Sequence, residues 1–188
     1  MEVRDDRLFW LDLETTGLDV DQHEILEVAA VVTEADLTPV AHGSWVVWQP
    51  ESALDQMPAV VRAMHESSGL LKAVRGPTSR PLGSVEVLLR QFMEANLVPK
   101  TAPLCGNSIG TLDRPFLRRH MPTILPLLHY RMVDVSSLKE LVNRWAPQWA
   151  YGKKKLAHRA LDDVRESLDE ARWYKEALFG PQTFPAQM

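Results

Sequence analysis

The sequence feature that most constrains the fold is an apolar run that carries two carboxylates, Leu8-Phe9-Trp10-Leu11-Asp12-Leu13-Glu14. The run is too short for an ordinary helix and is typical of a buried strand. Residues two apart on a strand point to the same face, so Asp12 and Glu14 share one side of it. Two like charges buried together cost free energy unless a cation lies between them. The run predicts a core strand that supplies half of a divalent-metal site. The alternative is an edge strand with both acids in water.

The rest of the chain alternates between strand-like and helix-like patterns. Further strands are predicted over 25–32, 44–48, 103–106 and 131–135. Helices are predicted over 57–65, 81–96, 113–120 and about 159–178, with another that Ser136 or Ser137 caps. Short polar links between the first three strands predict an antiparallel meander, and the later helix–strand alternation predicts parallel crossovers. The expected fold is α/β, a single domain with one mixed five-stranded sheet flanked by helices.

Composition excludes several classes of protein. A single cysteine, Cys105, excludes an intramolecular disulfide and favours a reducing compartment. The charged N-terminus does not have the pattern of a signal peptide, and no apolar run approaches the length of a membrane span. We therefore expect a cytoplasmic protein with no membrane partner. The net charge of −4 argues against a broad basic surface for long nucleic acid, although bound cations would reverse the local charge at a phosphate-directed site.

More acids, and a histidine, lie at predicted element junctions. Asp113 begins a helix, whereas Asp162 and Asp163 follow His158 near the start of the last helix. Oxygen ligands select hard cations, so Mg²⁺ or Mn²⁺ is expected. Zinc is disfavoured because the sequence has no His/Cys cluster with ligand spacing. Two such ions that share a carboxylate, roughly 4 Å apart, can stabilise the attacking and leaving oxygens of a phosphodiester.

Three motifs carry a family resemblance. They are Asp12-Leu13-Glu14-Thr15-Thr16-Gly17-Leu18, then Gly106-Asn107-Ser108 followed by Asp113, and His158-Arg159-Ala160-Leu161-Asp162-Asp163. Together they resemble the exonuclease motifs of the DEDDh superfamily. Two further segments, His129-Tyr130-Arg131 and 134–141, are similar to its oligoribonuclease branch. The resemblance covers about residues 7–178, so we expect one exonuclease domain over 1–188 with a short C-terminal tail at 179–188.

The resemblance implies both fold and activity. It implies an RNase H-like fold, two divalent cations, a homodimer, and 3′→5′ hydrolysis of very short single-stranded RNA to 5′-mononucleotides. By position in the motifs, the implied metal ligands are Asp12, Glu14, Asp113 and Asp163, and the implied general base is His158. An imidazole suits that role because its ordinary pKa lies near neutrality.

Three positions depart from the family pattern, and one choice between neighbours stays open. An extra residue at Thr111-Leu112 precedes Asp113, Val60 stands where the family has an aromatic side chain, and Ala157 stands where a threonine is common before the histidine. If His158 lies inside the last helix, the spacing of four favours Asp162 as its neighbour. If it lies on the entering loop, the family spacing selects Asp163, which we adopt.

Substrate contacts are expected from residues outside the acid set. The resemblance implies that Leu18 lies between two bases, although ordinary turn packing would also explain it, and that His65 approaches the 3′ end. Asn107 and Ser108 can bind sugar or phosphate, or can simply serve strand-end turn chemistry. Tyr130 can stack on a base of any sequence.

A group around Arg131 is expected to bind a terminal 5′-phosphate. Ser136 and Ser137 open a helix whose free N–H groups favour an anion, and arginine binds phosphate bidentately. The resemblance implies that this group acts partly from the partner subunit. We predict that this group, rather than a basic channel, limits substrate length, since the lysine run at 153–155 is more typical of a solvated loop.

Two other functions compete with the short-RNA hypothesis. One is a DEDDh exonuclease that acts on longer single-stranded DNA or RNA. The other is a nucleic-acid-binding module without catalysis, which is disfavoured because all five catalytic positions are filled.

Overall fold

The strand with the two acids lies at the centre of one sheet in the computed structural model, which describes residues 3–152 and 158–180. The strands are β1 (Leu8–Thr15), β2 (Ile25–Thr33), β3 (Pro39–Val46), β4 (Leu104–Gly106) and β5 (Met132–Asp134). Their order in the sheet is β3-β2-β1-β4-β5. Antiparallel pairs join β1, β2 and β3, whereas β1, β4 and β5 are parallel. The predicted mixed five-stranded sheet is confirmed.

Helices follow the meander and the crossovers. They are α1 (Glu51–Leu54), α2 (Ala59–Ser67), α3 (Leu70–Val74), α4 (Leu82–Asn96), α5 (Asp113–His120), α6 (Val135–Trp145) and α7 (Ala160–Phe179), with short 3₁₀ turns at Leu125–Leu127 and Pro147–Trp149. Within the described ranges, no helix combines the length and the apolar character that crossing a membrane requires. The lysine run at 153–155 and the tail beyond residue 180 lie outside the described residues.

Two predicted boundaries are wrong for identifiable reasons. β3 begins at Pro39 rather than at residue 44, because a tight turn, in which Glu34 N donates to Thr38 O at 2.9 Å, returns the chain early to the edge of the sheet. α6 is capped by Asp134, whose carboxylate accepts from Ser136 N at 3.0 Å, and not by Ser136 or Ser137. α1 and α3 were not predicted, because four or five residues are too few to show helical periodicity.

The two faces of β1 belong to different parts of the core. Phe9, Leu11 and Leu13 pack with residues of α4 and α5. Trp10 packs on the other face, among residues of α6 and α7. Because side chains alternate along a strand, Asp12 and Glu14 share the face of Trp10 and point toward α7.

Candidate active site

The end of β1 and the first turn of α7 bring three carboxylates together. Asp12, Glu14 and Asp163 each offer an oxygen atom within 4.8 Å of the others. Glu14 is buried, whereas Asp12 and Asp163 are half-buried. Three carboxylate oxygens at this spacing form a donor set that suits a hard divalent cation.

The pKa of Glu14 reflects its burial among other acids. Burial, and after it the neighbouring negative charge of Asp163, raise the pKa of Glu14 to about 8. A bound cation would reverse this preference, because it favours the ionised carboxylate.

Asp113, the fourth expected ligand, approaches β1 from the other side. Its helix α5 packs on the face of Leu11 and Leu13, and its Oδ1 accepts from Leu13 N at 2.9 Å. It is 2% exposed, and burial raises its pKa to about 8. Asp113 is therefore next to the strand that carries Asp12 and Glu14, but it is not among the three acids within 4.8 Å.

The extra residue before Asp113 is accommodated in the turn that precedes α5. Arg114 N donates to Ile109 O at 2.9 Å, a span of five residues that is one wider than the α-helical hydrogen bond. The helix consequently still begins at Asp113, as predicted.

His158 lies outside α7. Its φ of 52° places it in the left-handed region, and Arg159 is the N-cap before the helix begins at Ala160. This is the loop geometry under which the family spacing selects Asp163. Asp162 is exposed and lies 3.3 Å from Arg165, so the geometry favours Asp163 over Asp162 as a member of the acid group.

A buried ion pair holds the residues that follow His158. Glu27 on β2 accepts from Arg159 Nη2 at 2.8 Å and from Nε at 3.0 Å, and Glu27 Oε2 also accepts from Ala160 N at 3.1 Å. Glu27 is 1% exposed. It fixes the start of α7, and with it the backbone between His158 and Asp163. Sequence analysis missed Arg159, and the only signal for Glu27 was a charge within an apolar run.

Comparisons with known proteins then identify the family. The model of a family described as an exonuclease matches residues 9–171. An oligoribonuclease of Streptomyces coelicolor is 47% identical over 96% of this chain and 90% of its own. Oligoribonucleases of Mycobacterium tuberculosis and Bordetella pertussis are 45% and 46% identical, over 96% and 95% of this chain and 85% and 98% of theirs. This chain belongs to the oligoribonuclease family. The predicted family and enzyme class, a nuclease that hydrolyses phosphodiesters, are confirmed.

Solved structures support the fold. Escherichia coli exonuclease I, in a zinc-bound complex with single-stranded DNA, superposes with a TM-score of 0.70 at 12% identity, over 93% of this chain and 41% of its own. Exonuclease I of Methylocaldum szegediense gives 0.71 at 16% identity, over 92% and 41%. The oligoribonuclease-family chain thus spans about two fifths of those chains, and the likeness establishes the predicted RNase H-like fold.

Two residues that the oligoribonuclease resemblance placed at the substrate are turned inward. His65 is 0% exposed, and its Nε2 donates to Thr15 O at 2.9 Å, while its Nδ1 lies 3.9 Å from Glu14 Oε2. The structure therefore places His65 behind Glu14 rather than at the surface, and burial lowers its pKa.

Asn107 is the second inward-facing residue. Its amide nitrogen donates to Ser167 Oγ at 2.8 Å and to Glu170 Oε2 at 3.2 Å, and its oxygen accepts from Ser136 Oγ at 3.1 Å. These bonds tie β4 to α6 and α7. The amide of Asn107 is thus bonded to protein partners, and its direct substrate contact stays a prediction.

The remaining expected contacts of this oligoribonuclease-family chain are accessible. Leu18 is 76% exposed and Tyr130 is 70% exposed. Ser108, Arg131 and Ser137 are also exposed, and Ser136 is half-buried.

Ser108 belongs to the same loop cluster as the start of α6. Its backbone N donates to Ser136 Oγ at 2.9 Å and to Asp134 Oδ1 at 3.1 Å. The arrangement joins the end of β4 to the α6 N-terminus.

Val60 stands where the family has an aromatic side chain. It is 76% exposed, the same fraction as Leu18.

Proposed function

We propose that this chain is a 3′→5′ exoribonuclease that hydrolyses very short single-stranded RNA, from dinucleotides to a few nucleotides, and releases 5′-mononucleotides. The observation that carries the proposal is the convergence of Asp12, Glu14 and Asp163 within 4.8 Å, in a chain 45–47% identical to oligoribonucleases. The substrate named in those relatives is assigned to this chain by that similarity.

The acid group fits divalent cations. Its donors are all carboxylate oxygens, and the pKa of Glu14 is raised by burial and by the charge of Asp163, a preference that a bound cation would reverse. We propose two ions, Mg²⁺ or Mn²⁺, held by Asp12, Glu14, Asp113 and Asp163. When bound, such ions neutralise phosphate charge and acidify water.

His158, on the loop before α7, is proposed to activate the attacking water. His158 accepts the proton of the attacking water, since imidazole can act as a base near neutral pH. The oxygen of that water bonds to phosphorus, the bond from phosphorus to the 3′-oxygen of the preceding nucleotide breaks, and that oxygen takes a proton. Glu27 and Arg159 keep the backbone of His158 in place through the start of α7.

Residues at β5 and at the start of α6 are proposed to bind the far end of the substrate. Arg131, Ser136 and Ser137 bind the 5′-phosphate there, partly across a homodimer. Tyr130 stacks on a base and Leu18 lies between two bases, whereas Ser108 binds sugar or phosphate near the metals. His65 supports Glu14 from behind instead of contacting RNA, in keeping with its burial. One exonuclease domain over residues 1–188 and a cytoplasmic location stay predictions.

A length series tests the proposal. The catalytic efficiency kcat/KM is measured on 5′-phosphorylated RNA from the dinucleotide to chains well beyond ten nucleotides, with Mg²⁺ and with Mn²⁺. We expect the highest value for the dinucleotide. Indifference to length would favour an exonuclease for longer single strands, and absence of cleavage with either metal would contradict the enzymatic assignment.

The phosphate-binding group is tested separately with Arg131→Ala. We expect a loss of about tenfold or more on the 5′-phosphorylated dinucleotide, because a charge-assisted hydrogen bond to phosphate is removed. The loss on five-nucleotide RNA should be smaller. Equal losses on both substrates would refute the role of Arg131 in selecting length. Arg80→Ala is the matched control, since Arg80 also has no carboxylate partner among the described residues.

A further inference from the structure

A hydrogen-bond network runs from the interior side of α7 to the loop that follows β4. Glu170 on α7 is 0% exposed, and its carboxylate accepts from Tyr174 Oη at 3.1 Å and from Asn107 Nδ2 at 3.2 Å. Asn107 Nδ2 also donates to Ser167 Oγ at 2.8 Å. Tyr174 and Ser167 are buried as well, so this end of the network lies in the protein interior.

The network continues outward through the oxygen of Asn107. Asn107 Oδ1 accepts from Ser136 Oγ at 3.1 Å, and Ser136 Oγ accepts in turn from Ser108 N at 2.9 Å. Asn107 and Ser136 are half-buried, whereas Ser108 is exposed. A continuous series of hydrogen bonds therefore joins the buried carboxylate of Glu170 to an exposed residue at the end of β4.

The carboxylate of Glu170 sets the direction of every bond in this network. An ionised carboxylate accepts hydrogen bonds and cannot donate them, so Asn107 has to turn its NH₂ group toward Glu170. The oxygen of Asn107 then faces Ser136, and the Ser136 hydroxyl donates to it, which leaves the Ser136 oxygen to accept from the Ser108 N–H. Burial and the negative charge of Glu170 raise the pKa of Tyr174 to about 12, so its hydroxyl keeps the proton that it donates.

The backbone of Ser108 shows why this direction matters. Its φ of 53° lies in the left-handed region, which a serine seldom adopts. The Ser108 N–H is held there by Ser136 Oγ at 2.9 Å and by Asp134 Oδ1 at 3.1 Å. Such strained residues persist only where the surrounding structure holds them, and they are concentrated at functional sites. The acceptor on Ser136 is thus a condition for the position of the Ser108 hydroxyl.

We propose that Glu170 is a positioning residue for the substrate. Through Asn107 and Ser136 it fixes the backbone of Ser108, and with it the direction in which the Ser108 hydroxyl meets the sugar or phosphate of the RNA. Glu170 itself is buried and does not contact RNA, and Asn107 acts through Ser136. The inference rests on the proposed function, which supplies the role of Ser108.

The test exchanges the donor and the acceptor between Asn107 and Glu170. Asn107→Asp places a second carboxylate against Glu170 and removes the donor, so kcat/KM on the dinucleotide should fall by about tenfold or more. In the double variant Asn107→Asp/Glu170→Gln, the introduced amide donates to the introduced carboxylate, whose other oxygen still accepts from Ser136. We expect its kcat/KM to recover to within about threefold of the unmodified protein.

A double-mutant cycle with Ser108→Ala separates positioning from a merely structural role. Ser108→Ala removes the hydroxyl but keeps the backbone N–H. If Glu170 and Asn107 act through that hydroxyl, Asn107→Asp should lower kcat/KM much less in the Ser108→Ala background than in the unmodified protein. An equal loss in both backgrounds would overturn the inference. Urea denaturation of each variant verifies folding and measures stability separately.

Asn96→Asp is the matched control for the change from amide to acid. Asn96 is also half-buried, and its Nδ2 donates to Phe92 O at 2.7 Å at the end of α4. The variant should lower stability, because the donor is lost, and leave kcat/KM unaltered. A loss of kcat/KM as large as that of Asn107→Asp would overturn the inference, since reduced stability alone would then explain the effect.

A binding measurement distinguishes failure of the inference from failure of the proposed function. Titration calorimetry measures the Kd of the 5′-phosphorylated dinucleotide with Ca²⁺, which also takes oxygen ligands, and we expect Asn107→Asp to weaken binding and the double variant to restore it. Binding without cleavage in Mg²⁺ or Mn²⁺ would refute only the proposed reaction, and the Kd values would still decide the role of Glu170. Normal cleavage and binding by Asn107→Asp would overturn that role alone. So would a double variant that does not recover, because a carboxylate that replaced a direct contact of Asn107 would repel phosphate. Absence of both binding and cleavage would overturn both.

Discussion

Two glutamates that face each other across the β1–β2 pair are treated by the fold in opposite ways. Glu14 and Glu27 are register partners in the antiparallel ladder, and both are buried, at 8% and 1% exposure. Glu27 receives a bidentate arginine, a backbone N–H and the hydroxyl of Ser44. Glu14 lies with Asp12 and Asp163, and the basic side chain 3.9 Å away, His65, is held neutral because burial lowers its pKa.

The difference shows how one sheet provides both a structural acid and a functional acid. At Glu27 the compensating cation belongs to the protein, so the interaction stabilises the fold and fixes the start of α7. Glu14 has no lysine or arginine ion-pair partner among the described residues, so its raised pKa fits a group that a bound cation would compensate. A buried acid therefore indicates function only once its partners are known.

The largest effect is expected in the acid group of Asp12, Glu14 and Asp163. Asp163→Asn should lower kcat/KM on dinucleotide by about 10³-fold, because a metal ligand contributes several kcal/mol to the transition state. Asp162→Asn is the matched control. Asp162 is exposed and, in the described part of the chain, pairs only with Arg165 at 3.3 Å, so its loss should change the free energy of unfolding by less than about 1 kcal/mol and leave kcat/KM close to normal. Normal turnover by Asp163→Asn together with an inactive Asp162→Asn would reverse the assignment.

Removing the carboxylate of Glu27, which pairs with Arg159, should lower the stability of the protein more than it lowers kcat/KM. Glu27→Gln leaves Arg159 without its carboxylate, and we expect the free energy of unfolding to fall by about 2–3 kcal/mol. The measurement is urea denaturation. The figure is moderate because the Arg159 side chain is 36% exposed.

Glu94→Gln provides the control for that loss. Glu94 and Arg90 form a pair on the exposed side of α4 at 2.8 Å, where an ion pair contributes about 0.3–0.5 kcal/mol. Equal destabilisation by Glu27→Gln and Glu94→Gln would show that the buried pair has no special structural role.

The contrast between these acids also shows how far sequence reasoning reaches. The shared face of Asp12 and Glu14 follows from strand periodicity alone, because the alternation is a local property. The role of Glu27 does not follow, because a single acid within an apolar run fits either an internally satisfied acid or a position on a less buried face. Its partner Arg159 is 132 residues away in the chain, so only the folded chain reveals the pair.

The capping residue of α6 was predicted wrongly for a related reason. Asp134, Ser136 and Ser137 are all residue types that cap helices, and local chemistry does not rank them. In the structure the hydroxyl of Ser136 is bonded to Asn107 and to the backbone N–H of Ser108, so Asp134 remains to cap the helix. The inward turn of Asn107 was missed because its partners on α7 are 60 and 63 residues away.

The stability of the metal-free protein should depend on pH through the two buried acids with raised pKa values. The pKa of Glu14 rises from 4.5 to about 8 and that of Asp113 rises from 3.8 to about 8, both mainly through burial. At pH values between the ordinary and the raised pKa, these two carboxyl groups keep their protons in the native state but have released them in the unfolded chain. Stability of the metal-free protein should therefore fall as pH rises from about 4.5 toward 8.

Thermal unfolding in EDTA at several pH values checks this direction. Added Mg²⁺ or Mn²⁺ should raise Tm more at pH 8 than at pH 5, because the cation binds the ionised acids. Glu14→Gln should flatten the dependence, since it removes one of the two shifted groups. A Tm that rises steadily with pH in the metal-free protein would contradict the assignment.

The smallest effect is expected at the third partner of Glu27. Ser44 Oγ donates to Glu27 Oε1 at 3.1 Å from the exposed edge strand β3. Ser44→Ala should cost about 1 kcal/mol or less, because a neutral donor is lost while the Arg159 and Ala160 contacts remain. The same urea series measures the change, and kcat/KM on dinucleotide should stay unaltered. If Ser44→Ala destabilised the protein as much as Glu27→Gln, the hydroxyl rather than the guanidinium would be what holds Glu27. In that case the distinction between an acid compensated by the protein and one left for a metal would no longer depend on Arg159.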